Sequence, residues 1–346
     1  MFTPKYTITN KLLSNIKRIN SLVNALNNQQ FPKVILFEFE KSAREVSSFA
    51  STSIEGNPLP LTEVKKILKS APANVRDSEM EVLNYNQALQ ALNVQLKNKD
   101  FSLSLERILH IQEQVIHDLL PAADIGKLRN KPVVVNNPRT GTTVYLPPDV
   151  GDIKSLMEEL ISYVRTNKDV IDSLILAGIF HKQMVIIHPF MDGNGRTTRL
   201  ATKALLAHMG LNTFNLFSFE NYYNQNVTKY FQTVGEFGNY YDLVEKMDFT
   251  IWLEYFTDGL IDELLRVQKL LPTTDINPAT ELKPYHRKIL ASIKEKGYIT
   301  DNDYAKITDR AKATRALDFR KLLDLGLIER KEKGRATYYR LKNSED

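Results

Sequence analysis

The stretch His188-Pro189-Phe190-Met191-Asp192-Gly193-Asn194-Gly195-Arg196-Thr197-Thr198-Arg199 lies between two apolar runs. Before it come Leu174, Ile175, Ala177, Gly178, Ile179, Met184, Val185, Ile186 and Ile187; after it the pattern resumes at Leu200 and continues with Leu205 and Leu206. The natural reading is helix, loop, helix. Pro189 disfavours helical geometry for His188, and Gly193 and Gly195 permit the positive φ angles of a tight loop. The loop ends on a helix N-terminus, where unpaired N–H groups and a glycine-bracketed turn form an anion nest able to hold a diphosphate. Arg196 and Arg199, three residues apart, share a helix face and extend the positive field along a phosphate chain. His188 supplies a base whose ordinary pKa lies near neutrality, Asp192 offers a hard oxygen ligand for Mg²⁺ bridging phosphates, and Phe190 reads as a buried anchor for the loop. This is a set of groups for phosphoryl transfer.

Outward from this segment the chain reads as mainly helical, with apolar spacings of three and four in Val82-Leu83-Tyr85-Ala88-Leu89-Leu92, Leu156-Leu160-Tyr163-Val164 and Trp252-Tyr255-Phe256-Leu260. One stretch departs from that period. Pro132-Val133-Val134-Val135, a turn over Asn136-Asn137-Pro138-Arg139-Thr140-Gly141, and Thr142-Thr143-Val144-Tyr145-Leu146 before Pro147-Pro148 predict a β-hairpin. Two prolines among short polar residues at 271–278 predict a linker, and with it a domain boundary near residue 280.

Composition narrows the chemistry. The 346 residues contain no cysteine, which excludes disulfides, thiolate catalysis and Cys-based zinc sites. No run of about 18 apolar residues is present, and Met1 to Asn28 lacks the apolar centre of a signal peptide, so the expectation is a cytoplasmic protein with no membrane contact. The net charge of +5 is uneven: residues 285–346 hold 16 Lys/Arg against 10 Asp/Glu, leaving the rest of the chain near neutral. A basic C-terminal module on a neutral body points to a polyanion-facing appendage.

The 188–199 string matches the Fic family signature, His-x-Phe-x-Asp/Glu-Gly-Asn-Gly-Arg-x-x-Arg, at every defined position, and the chain resembles that family beyond the motif. The resemblance implies transfer of AMP from ATP to a Ser, Thr or Tyr hydroxyl of a protein, the chain itself included, with release of pyrophosphate. It assigns His188 as base, Asp192 as Mg²⁺ ligand, Gly193, Asn194 and Gly195 as phosphate cradle, and Arg196 and Arg199 to the β- and γ-phosphates. The hairpin 132–146, preceded by a Gly-x-x-Arg sequence at Gly126 and Arg129, is then the flap on which a target protein docks as an added strand. Ser51-Thr52-Ser53-Ile54-Glu55-Gly56 resembles the family's inhibitory motif, with Glu55 pairing Arg199 and so denying the γ-phosphate its productive site. Tyr230 and Asn239 are the nearest matches to the family's nucleobase contacts, Phe231 departing from the usual tyrosine. The implied organisation is an N-terminal helical region 1–104 carrying the inhibitory helix at about 40–56, a catalytic core 105–275, and a separate module 283–346.

That last module resembles a winged helix. Helices from about Tyr285 to Glu295, Asp301 to Lys306 and Asp309 to Leu325 precede strands Leu327 to Lys331 and Ala336 to Leu341 around Lys333-Gly334-Arg335. The resemblance places Arg310, Lys312, Thr314 and Arg315 outward on the third helix and Lys333 and Arg335 at the wing tip, for DNA, a docking protein or a second copy of the chain. The rival reading of the whole is a nucleotide-sensing, DNA-binding regulator. Within the Fic scaffold, Gly195 favours nucleotide transfer over Doc-type phosphorylation, while UMP or phosphocholine transfer and reverse removal of AMP stay open.

Overall fold

The computed structural model describes residues 2–29, 33–70, 72–97, 102–136, 141–211, 213–271, 282–324, 327–332 and 337–342. The chain divides into two compact units, residues 1–29 with 37–272 and residues 30–36 with 273–346. Most of the predicted linker (272–278), the hairpin tip (137–140) and Lys333 with Arg335 fall outside the described residues.

In the first unit the chain runs through α1 (Asn10–Asn27), α2 (Lys33–Ile54, from residue 37 on), α3 (Leu61–Lys69), α4 (Asp77–Lys97) and α5 (Leu105–Val115) to the hairpin strands β1 (Val135–Asn136) and β2 (Thr143–Leu146). Then follow α6 (Val150–Asn167), α7 (Ser173–Ile187), α8 (Asn194–His208), a 3₁₀ turn (Thr213–Asn215), α9 (Glu220–Gln225), α10 (Val227–Val234), β3 (Gly238–Asn239), α11 (Tyr240–Leu243) and α12 (Thr250–Leu270). The fold is mainly helical, as its apolar periods dictate.

Helix α7 is the axis of this unit. It is apolar on nearly every side, and only Ser173 and Val185 escape full burial, which is the pattern of a helix packed all round rather than on one face. Asp172 caps its start by accepting from the Leu174 N–H at 2.9 Å. Helices α6, α8 and α12 pack around it. The approach of α12 depends on Gly178: Trp252 Nε1 donates to the Gly178 carbonyl at 2.8 Å, and a Cβ at Gly178 would lie 2.5 Å from Leu253 Cδ2. Helix α1 covers α12 in turn, with Leu12, Ile16, Ile19, Val23 and Leu26 buried at spacings of four and three.

The hairpin is shorter than its sequence predicts on one side. Tyr145 pairs with Val135, and β1 begins there, not at Pro132. Continuing the antiparallel register would set Val133 and Pro132 opposite Pro147 and Pro148, which have no N–H to give the ladder. On its other side β2 pairs in parallel with β3, so the sheet order is β1-β2-β3 and β2 is interior.

The second unit consists of α13 (Pro284–Lys296), α14 (Asp301–Lys306), α15 (Lys312–Asp324), β4 (Ile328–Lys331) and β5 (Tyr338–Leu341). Its own core joins Ile289, Ile293, Ile299, Tyr304, Phe319 and Ile328, and Phe319 stacks on Tyr339 with ring centroids 4.1 Å apart. Here an expectation fails. The third helix starts at Lys312 rather than Asp309, so Arg310 lies just before it and donates twice to Asp318, at 2.7 and 3.0 Å, while Arg315 on the helix donates twice to Asp301, at 2.9 and 2.8 Å. For Arg310 the reason is Asp318, buried at 3% exposure and also bonded by the Tyr304 hydroxyl; a carboxylate in that position requires a cation. Lys312 remains exposed. Among the described residues, no helix is long and apolar enough to cross a membrane.

Gly178→Ala should destabilise the first unit by about 1–3 kcal/mol through overpacking against α12. Chemical denaturation measures this directly, and an unchanged midpoint would mean that α12 yields.

Candidate active site

Helix α7 ends as the proline requires. The His188 N–H closes the last turn on the Met184 carbonyl at 3.1 Å, and His188 itself takes the left-handed conformation, φ 50° and ψ 60°, which is uncommon for a residue with a side chain. The loop that follows is shaped by Asn194. Its Oδ1 accepts from the Phe190 N–H and its Nδ2 donates to the Phe190 carbonyl, both at 2.9 Å, while the Phe190 ring is fully buried. Asn194, expected to line a phosphate cradle, therefore commits its amide to holding the loop closed. Gly193 then turns the chain at φ 79°, against Ile116, whose Cγ2 would lie 2.7 Å from any added Cβ. Thr197 N–H donates to the Gly193 carbonyl at 2.8 Å, and α8 begins.

Both signature arginines are buried, Arg196 at 2% and Arg199 at 0% exposure. Arg196 Nη2 lies 3.1 Å from each oxygen of Asp192, and Nη1 lies 3.2 Å from Glu81. Arg199 turns to α2. Its Nε donates to Ser51 Oγ at 2.8 Å, and its Nη2 donates to the Ser51 carbonyl at 2.8 Å and to Glu55 Oε1 at 2.7 Å. Glu55 lies one residue past the end of α2, with Gly56 in the left-handed conformation at φ 95°, so Arg199 satisfies a carbonyl of the helix's last turn as well as a carboxylate. The Glu55 carboxylate also occupies the space over Gly195: a Cβ there would lie 2.0 Å from Glu55 Oε1. One turn and two turns back from Glu55 on α2, Ser51 and Ser47 continue the contact. Ser47 Oγ accepts from Lys203 Nζ at 2.8 Å, and Glu220 stands 3.4 Å from the same ammonium. Residues 47, 51 and 55 thus face 203, 199 and 195 along antiparallel helices.

Burial opposes the charge of Arg199, but Glu55, with Tyr230 and Tyr85, more than offsets it and holds the guanidinium firmly protonated. Burial also pulls the His188 imidazole below its ordinary pKa, against weaker opposing pulls from the Val185 carbonyl and from Glu55. Nδ1 faces that carbonyl at 3.4 Å, an arrangement that favours a proton on Nδ1 and a lone pair on Nε2. Asp192 is half exposed, and among the described residues no group of three His, Cys, Asp or Glu could hold a metal by itself.

The residues expected at a nucleobase are in different settings. Tyr230 is a core side chain at 1% exposure, stacked on Tyr223 at 4.8 Å, with its hydroxyl 3.0 Å from His181 Nε2; burial pushes that hydroxyl up to about 12. Asn239 lies in β3 opposite Leu146 and accepts from the Tyr241 N–H at 3.0 Å. Two further residues shape the site in ways that no motif announced. Gln112 donates to the Asp192 carbonyl at 3.3 Å and accepts from the Gly126 N–H at 2.6 Å. Arg129, noticed in sequence only as part of the flap's lead-in, donates from Nε to the His188 carbonyl at 2.9 Å.

Residues 102–206 match the model of the Fic/DOC family. The chain is 30% identical over 198 residues to a protein named protein adenylyltransferase Fic from Aedes aegypti, covering 56% of this chain and 38% of that one. It is 29% identical over 166 residues to one of the same name from Nematostella vectensis, covering 47% and 37%. The chain thus spans about two fifths of the length of these relatives. Among solved structures, a Fic family protein from Desulfovibrio desulfuricans G20 superposes with a TM-score of 0.67 at 19% identity over all of both chains. A Fic domain containing signaling protein from Bacteroides thetaiotaomicron VPI-5482 gives 0.61 at 20% identity, over 76% of this chain and all of that one. The structural likenesses concern the fold, and the match to the Fic/DOC family model is carried by residues 102–206, less than a third of the chain.

Proposed function

We propose that the protein is an adenylyltransferase that moves AMP from ATP to a hydroxyl of a protein, and that Glu55 holds it inactive. The observation that carries this reading is a pair of unanswered donors. Arg199 Nη1 and Arg196 Nε are buried without a hydrogen-bond acceptor, at the start of a helix whose glycine loop begins with a histidine. Buried donors are rarely left so. A polyphosphate lying over Gly193–Gly195 would supply acceptors to both guanidiniums, as helix N-termini favour.

In the forward reaction His188 Nε2 takes the proton of the incoming hydroxyl, whose oxygen bonds to the α-phosphorus. The bond from that phosphorus to the bridging oxygen breaks, and pyrophosphate leaves. Arg196 and Arg199 orient the departing phosphates and answer their charge, so catalysis rests on positioning and electrostatics. Asp192 is the residue that would hold Mg²⁺, since one carboxylate plus substrate phosphates is an ordinary donor set for that ion, which when bound neutralises phosphate charge. The hydroxyl is brought in on the flap. With β2 covered by β3, the edge of β1 is the one left for a target strand, read through its main chain. The named function of the relatives in Aedes aegypti and Nematostella vectensis supports the same activity.

Glu55 works as a stand-in anion: while it fills the space over Gly195 and holds Arg199, a γ-phosphate has no productive place. Nucleic-acid binding by the second unit is not adopted, because two of the cations it required are engaged by Asp318 and Asp301.

Glu55→Gly should raise incorporation of labelled AMP into protein by roughly 5–150-fold, the range of a coupling worth 1–3 kcal/mol. His188→Ala in that background should then lower it by about 10²–10⁴-fold. An unlabelled Glu55→Gly protein with Mg²⁺ and ATP would refute the reading. The rate should also stay level as pH falls through about 6.5, because the His188 base has a lowered pKa and keeps its lone pair to more acid pH. A rate profile of Glu55→Gly with its acid limb above that pH would contradict this.

A further inference from the structure

One guanidinium ties together two parts of the site. Arg129 Nε donates to the His188 carbonyl at 2.9 Å, Nη1 to the Lys131 carbonyl at 3.1 Å, and Nη2 to the Pro148 carbonyl. Its backbone N–H donates to the Pro189 carbonyl at 2.9 Å. Lys131 and Pro148 flank the hairpin 132–146 on its two sides, and His188 and Pro189 open the loop of the site. The side chain is buried, with 3% of the residue exposed; burial lowers its pKa against an opposing pull from Asp149, and among the described residues no carboxylate pairs with it.

A buried cation bonded, among the described residues, to carbonyls is an expensive way to stabilise a fold, since apolar packing would serve as well. What it supplies is direction. A guanidinium presents five donors in a rigid plane, so three acceptors on different segments are fixed relative to one another at once; an ammonium has no such plane. The bond to the His188 carbonyl also restrains a residue in the left-handed conformation. A second tie runs the same way: the Tyr145 hydroxyl on β2 donates to the Ile186 carbonyl, at the end of α7, at 3.1 Å.

We infer that Arg129 is a positioning residue that sets the flap at a fixed height over His188, so that a hydroxyl on a strand added to the flap arrives at Nε2. This rests on the adenylyl-transfer reading. It separates two outcomes of the same activated nucleotide. Transfer to a protein hydroxyl needs the flap in register with His188. Transfer to water, in which a water oxygen bonds to the α-phosphorus and pyrophosphate leaves, needs the cradle and the base but not the flap.

The test uses the full chain carrying Glu55→Gly, with Arg129→Lys and Arg129→Ala added separately. Three quantities are read: labelled AMP joined to protein, free AMP released, and the Kd for Mg·ATP. Arg129→Lys should lower incorporation by roughly tenfold to a hundredfold, the cost of misplacing a reacting group by about an ångström, with the Kd for Mg·ATP and the release of free AMP nearly unchanged. Methylguanidinium should restore incorporation in Arg129→Ala, and methylammonium should not. Hydrogen exchange reads the tether apart from chemistry: amides of β2 should exchange faster in Arg129→Lys, and those of α8 should not. Unaltered incorporation in Arg129→Lys overturns the inference. So does a parallel fall of incorporation, free AMP and ATP binding, which marks a merely structural residue. If the Glu55→Gly parent takes up no label, the adenylyl-transfer reading fails first and the inference falls with it.

Discussion

A guanidinium shut away from water must have its charge answered, and the architecture of this site follows from how Arg199 is answered. It has no exposed surface. Its partners come from α2, a carboxylate, a hydroxyl and a main-chain carbonyl, and none comes from its own helix. The first turn of α8 therefore remains short of negative charge, and a carboxylate from elsewhere lies over its glycine. Removing Glu55 would leave a buried cation under-satisfied and a helix N-terminus uncovered, both of which a phosphate chain relieves. On the proposed function, inhibition and substrate binding are two solutions to one electrostatic requirement.

The contact is broader than a single ion pair. Ser47 on Lys203, Ser51 on Arg199 and Glu55 over Gly195 form a stripe at helical period along α2, matched by a stripe on α8. The Ser47 end is buried with Glu220, Tyr85 and Ser218 in one hydrogen-bonded group. That end holds α2 through bonds that do not involve Glu55. Withdrawal of one side chain, with the helix staying docked, is the smallest change that frees the space over Gly195.

How much of this could be read from sequence depended on whether local chemistry decided the matter. The helix-loop-helix at 174–208 was legible because an all-round apolar helix, a proline and two glycines leave few alternatives. The Glu55–Arg199 pairing was legible only through resemblance, since 144 residues separate the partners and no periodicity connects them. The clip made by Asn194 was not legible, because its residue type suits a cradle as well as a clip, and the clip depends on the Phe190 backbone lying within reach of its amide. The partners of Arg310 and Arg315 were hidden for a related reason. A basic residue says nothing about which carboxylate the fold will bring to it, and here Arg310, just before α15, meets the buried Asp318, while Arg315 meets Asp301 on another helix. The first flap strand was shortened by Pro147 and Pro148, a signal present in the sequence once the register is known. Arg129 gave only a motif letter, and its meaning came from three carbonyls that tertiary structure assembles.

The claim that Glu55 and nucleotide phosphate compete for one guanidinium is met most directly by calorimetric titration of Mg·ATP and Mg·AMP into the wild-type chain and into Glu55→Gln. The substitution should tighten Mg·ATP by roughly 5–150-fold and leave Mg·AMP, which has no β- or γ-phosphate to reach Arg199, unchanged. Equal affinity of both proteins for Mg·ATP, or equal tightening toward Mg·AMP, would contradict it.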